Sequence, residues 1–278
     1  MGELPPVPLF SCKSDEWQLW GSDLPDPDVS VILPPEILDK ILELVPTTEE
    51  GRPTLIACAL VATWWTGPTQ RRLFSSVEVS YDNYERWMTG VVPSGSKAHL
   101  LNHVRSLSLY RILGFPMLKS LRVPVKLLSD LRNVHHLTLT RVEVEFIDEN
   151  RFPTCFSAFR ETLTYLSIDH FLASFNAFVT LVDYFPNITT LRLLSFIPRP
   201  NEGPVPLLSR PLRGKFYVED QNFYPEFFSR FTQLDLEYEE LLLASPGHSM
   251  KPEFLESALQ TGTRTVKILR ITADPHCE

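Results

Sequence analysis

A short apolar pattern recurs through the last two thirds of this 278-residue chain. In each copy an apolar residue is followed three positions later by a central leucine, and two positions after that by another apolar residue. The six copies are Val104/Leu107/Leu109, Val134/Leu137/Leu139, Leu163/Leu166/Ile168, Ile188/Leu191/Leu193, Phe231/Leu234/Leu236 and Val266/Leu269/Ile271, with a weaker copy at Arg213/Phe216/Val218. Because alternate residues of a strand share a face, each copy predicts a strand with one buried side.

The intervals between the copies indicate a structural repeat with irregular spacing. From Leu107 to Phe216 the central residues are 25 to 30 residues apart, but Phe216 to Leu234 is 18 residues and Leu234 to Leu269 is 35. Candidate helices lie between the strands, most clearly at residues 173–185, where six apolar residues share one stripe: Phe175, Phe178, Val179, Leu181, Val182 and Phe185. One strand–helix unit cannot bury its own apolar face, so the units are expected to stack around a parallel sheet.

The segment before the repeats has a different, helical pattern. Five apolar residues share one helical face, with prolines at the entry and at the end: Ile37, Leu38, Ile41, Leu42 and Val45. A nearly continuous apolar run follows at residues 54–65, which predicts a segment covered on most sides. Residues 75–80 then alternate as a strand does.

Three motifs of this segment carry a resemblance. LPPEILDKILELVP, LIACALVATWW and TQRRLFSSV occur in this order, and together they resemble the F-box, in particular the form found in fungal proteins with divergent leucine-rich repeats. The chain departs from that family at residues 62–65, where the family more often has a cysteine and a basic residue before a single tryptophan. The expected fold is α/β: a flexible leader at 1–30, a three-helix F-box at 31–78 and an irregular leucine-rich-repeat-like solenoid with a parallel β-sheet at 79–278.

The F-box resemblance implies a partner for the helical segment. An F-box docks to a Skp-type adaptor subunit, which in turn is bound by a cullin scaffold. The residues implied for the contact are Leu33, Pro34, Ile37, Leu38, Ile41, Leu42, Leu60, Val61 and Trp65. Independently, so short a segment has more apolar surface than it can bury alone. The first repeat could supply the cover instead, with the segment acting as an N-terminal cap.

The strands predict a second contact surface. Residues that flank each central apolar residue point away from the core, so they form an exposed strip across the sheet. The candidate target-binding residues are His136, Thr138, Tyr165, Ser167, Arg192, Tyr217, Asp235 and Arg270. Such a mixture of aromatic, hydroxyl and charged groups suits recognition of a protein target of unknown identity.

Several functional classes are disfavoured by what the sequence contains. A formal net charge of −8 argues against nucleic acid or anionic membrane as a partner. The scattered cysteines indicate no metal site, the motifs of common hydrolases and nucleotide-binding enzymes are missing, and no signal peptide or membrane span is predicted. We therefore expect no catalytic residues, no cofactor and a cytoplasmic or nuclear protein.

These observations favour a non-enzymatic adaptor. The resemblance implies the substrate-recognition subunit of an SCF-type (Skp/cullin/F-box) ubiquitin ligase. Two alternatives remain open. One is a non-degradative interaction or scaffold protein that uses the same two surfaces. The other is a hydrolase on an unrecognised scaffold, against which the missing nucleophile and base arrangement counts.

Overall fold

The computed structural model describes most of the repeat strands and the helical segment. The described residues are 33–47, 50–80, 83, 98–110, 128–141, 155–198, 207–219, 230–231, 233–234, 236–245, 256 and 265–273. The predicted flexible leader at 1–30 and the candidate residue Asp235 lie outside these ranges. The described part is a mixed α/β fold with five α-helices and one eight-stranded parallel sheet.

Three helices form the N-terminal segment: α1 (Pro35–Glu43), α2 (Arg52–Val61) and α3 (Thr63–Leu73). A proline lies at the start of both α1 and α2, where its missing N–H costs no helical hydrogen bond. Ala62 has extended backbone angles (φ −156°, ψ 153°) and divides the apolar run 54–65 between two helices. This chain alone does not cover the run on most sides, because on α2 only Leu55 is fully buried.

The eight strands lie side by side in chain order, and every neighbouring pair is parallel. They are β1 (Ser76–Ser80), β2 (Ser106–Tyr110), β3 (His136–Thr140), β4 (Tyr165–Ala173), β5 (Thr190–Pro198), β6 (Leu212–Glu219), β7 (Leu236–Ser245) and β8 (Ile268–Ala273). The predicted parallel sheet is confirmed. Strand β1, which we had expected to close the helical segment, pairs with β2 as the first strand of the sheet.

The register aligns one central apolar residue from every strand. The aligned column is Val77, Leu107, Leu137, Leu166, Leu191, Phe216, Leu241 and Leu269. The seventh member corrects the sequence prediction, which had placed Leu234 there. Leu234 precedes β7, and Leu241 is the residue paired with Phe216. With Leu241 in the column, the step from 216 to 241 is 25 residues, and the apparent irregularity of the repeat at this point disappears.

The main core lies on the column's side of the sheet. The remaining helices are the short α4 (Ala98–Leu101) and α5 (Phe175–Tyr184). Helix α5 begins at Ser174, whose side chain accepts a hydrogen bond from the N–H of Ala177 at 3.0 Å, as an N-cap does. Its predicted apolar stripe is confirmed, because all six members are buried: Phe175, Phe178, Val179, Leu181, Val182 and Phe185. Aromatic rings fill the space between this helix and β6, where Phe216 and Phe231 stack at 5.1 Å.

Polar side chains connect successive repeats just before the strands. The amide of Asn133 donates to the carbonyl of Asn102 at 2.8 Å, and the amide of Asn187 donates to the carbonyl of Glu161 at 2.7 Å. Between them, the hydroxyl of Thr162 donates to the carbonyl of Val134 at 2.8 Å. These bonds satisfy backbone carbonyls at corresponding points of neighbouring repeats, so they stabilise the contact between one repeat and the next.

Gly214 is required by the backbone at the start of β6. Its φ is +104°, where side chains are rarely tolerated, and an added Cβ would collide with the carbonyl oxygen of Thr189, the residue directly before β5. We expect Gly214→Ala to reduce the free energy of unfolding by more than about 2 kcal/mol, measured by urea denaturation. Gly67→Ala is the matched control, because no atom lies within 4 Å of its added Cβ.

The expected change for the control is no more than about 1 kcal/mol, since Gly67 lies in a helix directly before Pro68. Equal losses for the two variants would contradict the steric account of Gly214.

Candidate protein-binding surfaces

Helix α1 exposes an apolar face. Ile37, Ile41 and Leu44 lie one helical turn apart on this face, and they are 44%, 37% and 84% exposed. Leu38 and Leu42 lie on the other side of the same helix and are fully buried. The predicted adaptor-binding residues of α1 therefore fall into two groups. Ile37 and Ile41 are accessible to a partner, whereas Leu38 and Leu42 are buried in this chain's own core and are not.

Helix α2 also leaves large apolar side chains in solvent. Ile56, Leu60 and Val61 are 52%, 83% and 69% exposed. Leu60 and Val61 belong to the predicted set, whereas Ile56 and Leu44 do not. The sequence did contain a sign of these two residues, because Leu44 is one turn beyond Ile41 and Ile56 is one turn before Leu60. A pattern of apolar residues alone, however, does not show which side of a helix is covered.

The other three predicted adaptor-binding residues have different environments. Pro34 is exposed at the N-cap of α1, and its carbonyl accepts hydrogen bonds from the N–H groups of Ile37 and Leu38. Leu33 and Trp65 are half-buried. Trp65 packs edge-to-face with Trp64 at 5.6 Å, against the core of the helical segment.

The described residues form two separate apolar clusters. Leu38, Leu42 and Leu55 are the buried centre of the helical cluster, and the sheet has a much larger one that begins at Val77. The exposed side chains of α1 and α2 are not covered by any other described part of the chain.

The outer face of the sheet brings most of the predicted target-binding residues together. His136 and Arg270 are exposed, and Thr138, Tyr165, Arg192 and Tyr217 are half-buried. Ser167 is only 3% exposed, so its side chain has almost no surface to offer a target. Asp235 precedes β7 and was assigned to the strip through the misplaced central residue Leu234; the corresponding position of β7 is Leu242, which pairs with Tyr217.

Polar contacts organise the middle of this face across β3 to β6. The rings of His136 and Tyr165 lie 5.3 Å apart, and Arg192 donates to Glu219 at 2.9 Å. Burial alone would lower the pKa of the Arg192 guanidinium, but hydrogen bonds with Glu219 and Tyr165 raise it above its ordinary value. The guanidinium is therefore held in place by two neighbouring strands while remaining 42% exposed.

A second cluster lies across β6, β7 and β8. The carboxylate of Glu240 is 3.1 Å from the ammonium of Lys215 and 3.4 Å from the guanidinium of Arg270. The hydrogen bond to Glu240 raises the pKa of Lys215. The Glu240 side chain is only 9% exposed, whereas its two partners are more than half exposed. The sequence analysis missed Glu240 because it took Leu234 instead of Leu241 as the central residue of β7.

Comparison with known proteins gives no family for the chain: no protein-family model matches it, and no curated protein does. Among the described helices, none has both the length and the hydrophobicity needed to cross a membrane. Within the same residues, no three His, Cys, Asp or Glu side chains are grouped as metal ligands.

We expect Glu240→Gln to lower the thermal midpoint more than Glu237→Gln does. Removing the Glu240 charge takes away the carboxylate that two cations share, whereas among the described residues Glu237 pairs with Arg213, which is 70% exposed. Calorimetry of both variants at low salt measures the difference. Added salt should reduce the difference between the two thermal midpoints, because it screens the repulsion between the remaining cations. A larger loss for Glu237→Gln would contradict this assignment.

Proposed function

We propose that this chain is the substrate-recognition subunit of an SCF-type ubiquitin ligase. The helical segment α1–α3 acts as an F-box that binds a Skp-type adaptor, and the adaptor connects the chain to a cullin scaffold. The repeat strands act as a leucine-rich-repeat-like solenoid whose outer face binds a protein target. The chain itself does no bond chemistry; it raises the concentration of the target near a ubiquitin-loaded enzyme. The cytoplasm or nucleus is the corresponding location.

The observation that carries this proposal is the exposed apolar face of the helices. Six large apolar side chains of α1 and α2 are between 37% and 84% exposed. Scattered apolar residues are common on protein surfaces, but six on two consecutive short helices, counting the C-cap residue Leu44 of α1, are typical of an interaction site. The resemblance to the F-box suggests the partner. The exposed residues lie within the motifs that carry this resemblance, and an F-box binds a Skp-type adaptor.

The exposed apolar side chains can supply part of the binding free energy of a partner. Burying one fully exposed large apolar side chain contributes roughly 1.5 to 3 kcal/mol. Six side chains with 37% to 84% of their surface exposed therefore offer on the order of several kcal/mol. Association costs an estimated ~4 kcal/mol or more, so the apolar face needs polar contacts around it to give specific binding. Asp39, Lys40 and Glu43 on α1 are exposed and can supply them.

The outer face of the sheet supports the second half of the proposal. Tyr165, Arg192 and Tyr217 combine partial exposure with fixed positions on adjacent strands. Tyrosine and arginine are the side chains that most often dominate binding energy in protein interfaces, and side chains held in place lose less entropy on binding. The remaining hydroxyl groups, such as Thr138, can exchange hydrogen bonds with a target without a large desolvation penalty.

We expect the double variant Ile37→Asp/Ile41→Asp to bind a purified Skp-type adaptor at least about tenfold more weakly than the wild-type chain, measured by titration calorimetry. Each substitution puts a charge into the apolar contact. The variant should keep its fold, because both side chains are exposed in the free chain. Leu38→Asp is unsuitable for this purpose, since it would place a charge in the core of the helical segment.

Leu207→Asp is the matched control. It makes the same chemical change at a side chain that is 88% exposed, before β6 and far from the helices in the chain. Its affinity for the adaptor should equal that of the wild type. Binding of the Ile37/Ile41 variant as tight as that of the control would defeat the adaptor proposal.

A cellular experiment separates the ubiquitin-ligase role from the scaffold alternative. Target proteins captured with the wild-type chain should be lost when Tyr165→Ala and Arg192→Glu are combined, because these changes remove the aromatic and cationic groups of the outer face. With Ile37→Asp/Ile41→Asp, capture should persist while the abundance of the target rises, since the target is no longer delivered to the ligase. Captured proteins whose abundance stays constant in both variants would favour the scaffold alternative.

A further inference from the structure

The outer face of the sheet has an uncharged half and a charged half. On β2, β3 and β4 two neighbouring columns of this face contain no carboxylate, guanidinium or ammonium group; their members are Ser106, His136 and Tyr165 in one column and Ser108, Thr138 and Ser167 in the other. The same two columns on β5 to β8 include Arg192, Lys215, Glu240 and Arg270. A ligand on the first half therefore meets hydroxyl and aromatic groups.

A shallow trough crosses β2 to β4, because small side chains form the middle column. Ser108, Thr138 and Ser167 lie in register and make its floor. Two residues earlier on their strands, His136 and Tyr165 form one wall, with their rings 5.3 Å apart. Aromatic rings project further from a sheet than the side chains of serine and threonine do, so the floor lies lower than this wall.

The opposite wall begins at Tyr110, two residues after the floor residue of β2. The guanidinium of Arg141 donates to the Tyr110 hydroxyl at 3.1 Å and lies 5.8 Å from the centre of its ring. Wall residues on the two sides are four positions apart along a strand, which is about 13 Å. At β5, Arg192 pairs with Ser167 and ends the floor. The trough is therefore about one extended polypeptide wide and, over three strands, roughly 14 Å long.

Aromatic walls and a hydroxyl floor suit a polyproline II segment. Such a segment makes no internal hydrogen bonds, so its carbonyls accept bonds from hydroxyl and guanidinium donors. Proline has no N–H, so it brings no backbone donor that the trough must satisfy. Grooves lined by aromatic side chains bind Pro-x-x-Pro segments in this way. At about 3.1 Å per residue, four to five residues fill the trough.

This chain's own leader contains a segment with this chemistry. Residues 4–9 are LPPVPL, in which Pro5 and Pro8 have the Pro-x-x-Pro spacing. No charged side chain occurs in residues 4–12, which matches the uncharged half of the sheet. A later proline pair of the leader differs, because it alternates with aspartates: Pro25, Asp26, Pro27 and Asp28. Charge complementarity therefore favours the first segment over the second.

The leader is long enough to reach the trough. Pro8 precedes Leu33 by 25 residues, and an extended chain of this length spans up to about 80 Å. Helix α1 packs beside α3, since Asp39 pairs with Arg71 at 3.3 Å. Strand β1 begins three residues after the end of α3, and β2 is its neighbour. Only one strand therefore separates the helical segment from the trough.

We propose that residues 4–9 of the leader bind in the trough of the same chain as a polyproline II segment. The walls formed by Tyr110 and Tyr165 hold the proline rings, and the floor hydroxyls bind the backbone carbonyls. The consequence for regulation rests on the proposed function: because Tyr165 belongs to the proposed target-binding face, the target must displace the leader, and the leader lowers the apparent affinity for the target. The contact itself requires neither an adaptor nor a target.

The test uses the full chain and a fluorescein-labelled peptide with the sequence of residues 3–11, followed by fluorescence anisotropy. The variant Pro5→Asp/Pro8→Asp should bind this peptide at least about threefold more tightly than the wild-type chain does, because its own leader no longer occupies the trough. Adding Tyr110→Ala and Tyr165→Ala to that variant should weaken peptide binding at least about tenfold, since both walls lose their rings.

Pro25→Asp/Pro27→Asp is the matched control. It makes the same chemical change at two other prolines of the leader, outside the uncharged stretch. Its affinity for the peptide should equal that of the wild type. Circular dichroism of each variant establishes that the chain remains folded.

Four outcomes would overturn the proposal. Without measurable peptide binding by the Pro5/Pro8 variant, the trough is no polyproline site. Equal affinities of this variant and the wild type would mean that only another protein supplies such a segment. Binding that survives the loss of both tyrosines would place the contact elsewhere. A wild-type mass above the monomer in light scattering, lost in the Pro5/Pro8 variant, would assign the trough to the leader of a second copy. Each of these failures leaves the proposed function intact, because no adaptor or target takes part in the test.

Discussion

The structure depends on the in-register stacking of one apolar column across eight parallel strands. No strand of this sheet can bury its own apolar face, and the central residue of each inner strand lies between its counterparts on the two neighbouring strands. Leu107, Leu137 and Leu166 have no exposed surface at all. Because the column fixes the register, it also decides which side chains appear on the outer face. A shift of one residue would exchange the two faces, so the buried column and the proposed binding surface are specified together.

Much of this architecture could be predicted from the sequence. The apolar frame located the strands β2 to β6, and the stripe on α5 was visible from its helical spacing. The frame failed at β7, where Phe231, Leu234 and Leu236 satisfy the same spacing as the strand that follows. All three residues are buried, so hydrophobicity could not separate them from Tyr238, Leu241 and Leu243. Only the pairing with β6 resolves the competition, and pairing is a non-local property.

The proposed binding surfaces were less predictable than the core for a related reason. The sequence pattern of a helix with two apolar sides is the same whether one side or both are covered. The burial of Leu38 and the exposure of Ile37 could therefore not be predicted before the packing was known. Similarly, the ion pairs of the outer face depend on which strands are neighbours and on the irregular register after Gly214. The two ion-pair partners of Glu240 are Lys215 and Arg270, which lie 25 and 30 residues away from it in the chain. Pairwise chemistry of this kind has no local signature.

The last strand of the sheet is less well covered than the strand beside it, and this bears on how the protein is stabilised. At β7 the inward residues Leu241 and Leu243 are buried, whereas their counterparts on β8, Leu269 and Ile271, are 40% and 47% exposed. Stacked repeats gain stability from each neighbouring interface, so a terminal strand with one neighbour and an incomplete cover gains the least. Transient opening should accordingly begin at β8 and proceed inward, while the central strands stay closed until most of the sheet has separated. Any molecule that covers Leu269 and Ile271 would act on the whole protein by delaying this first step.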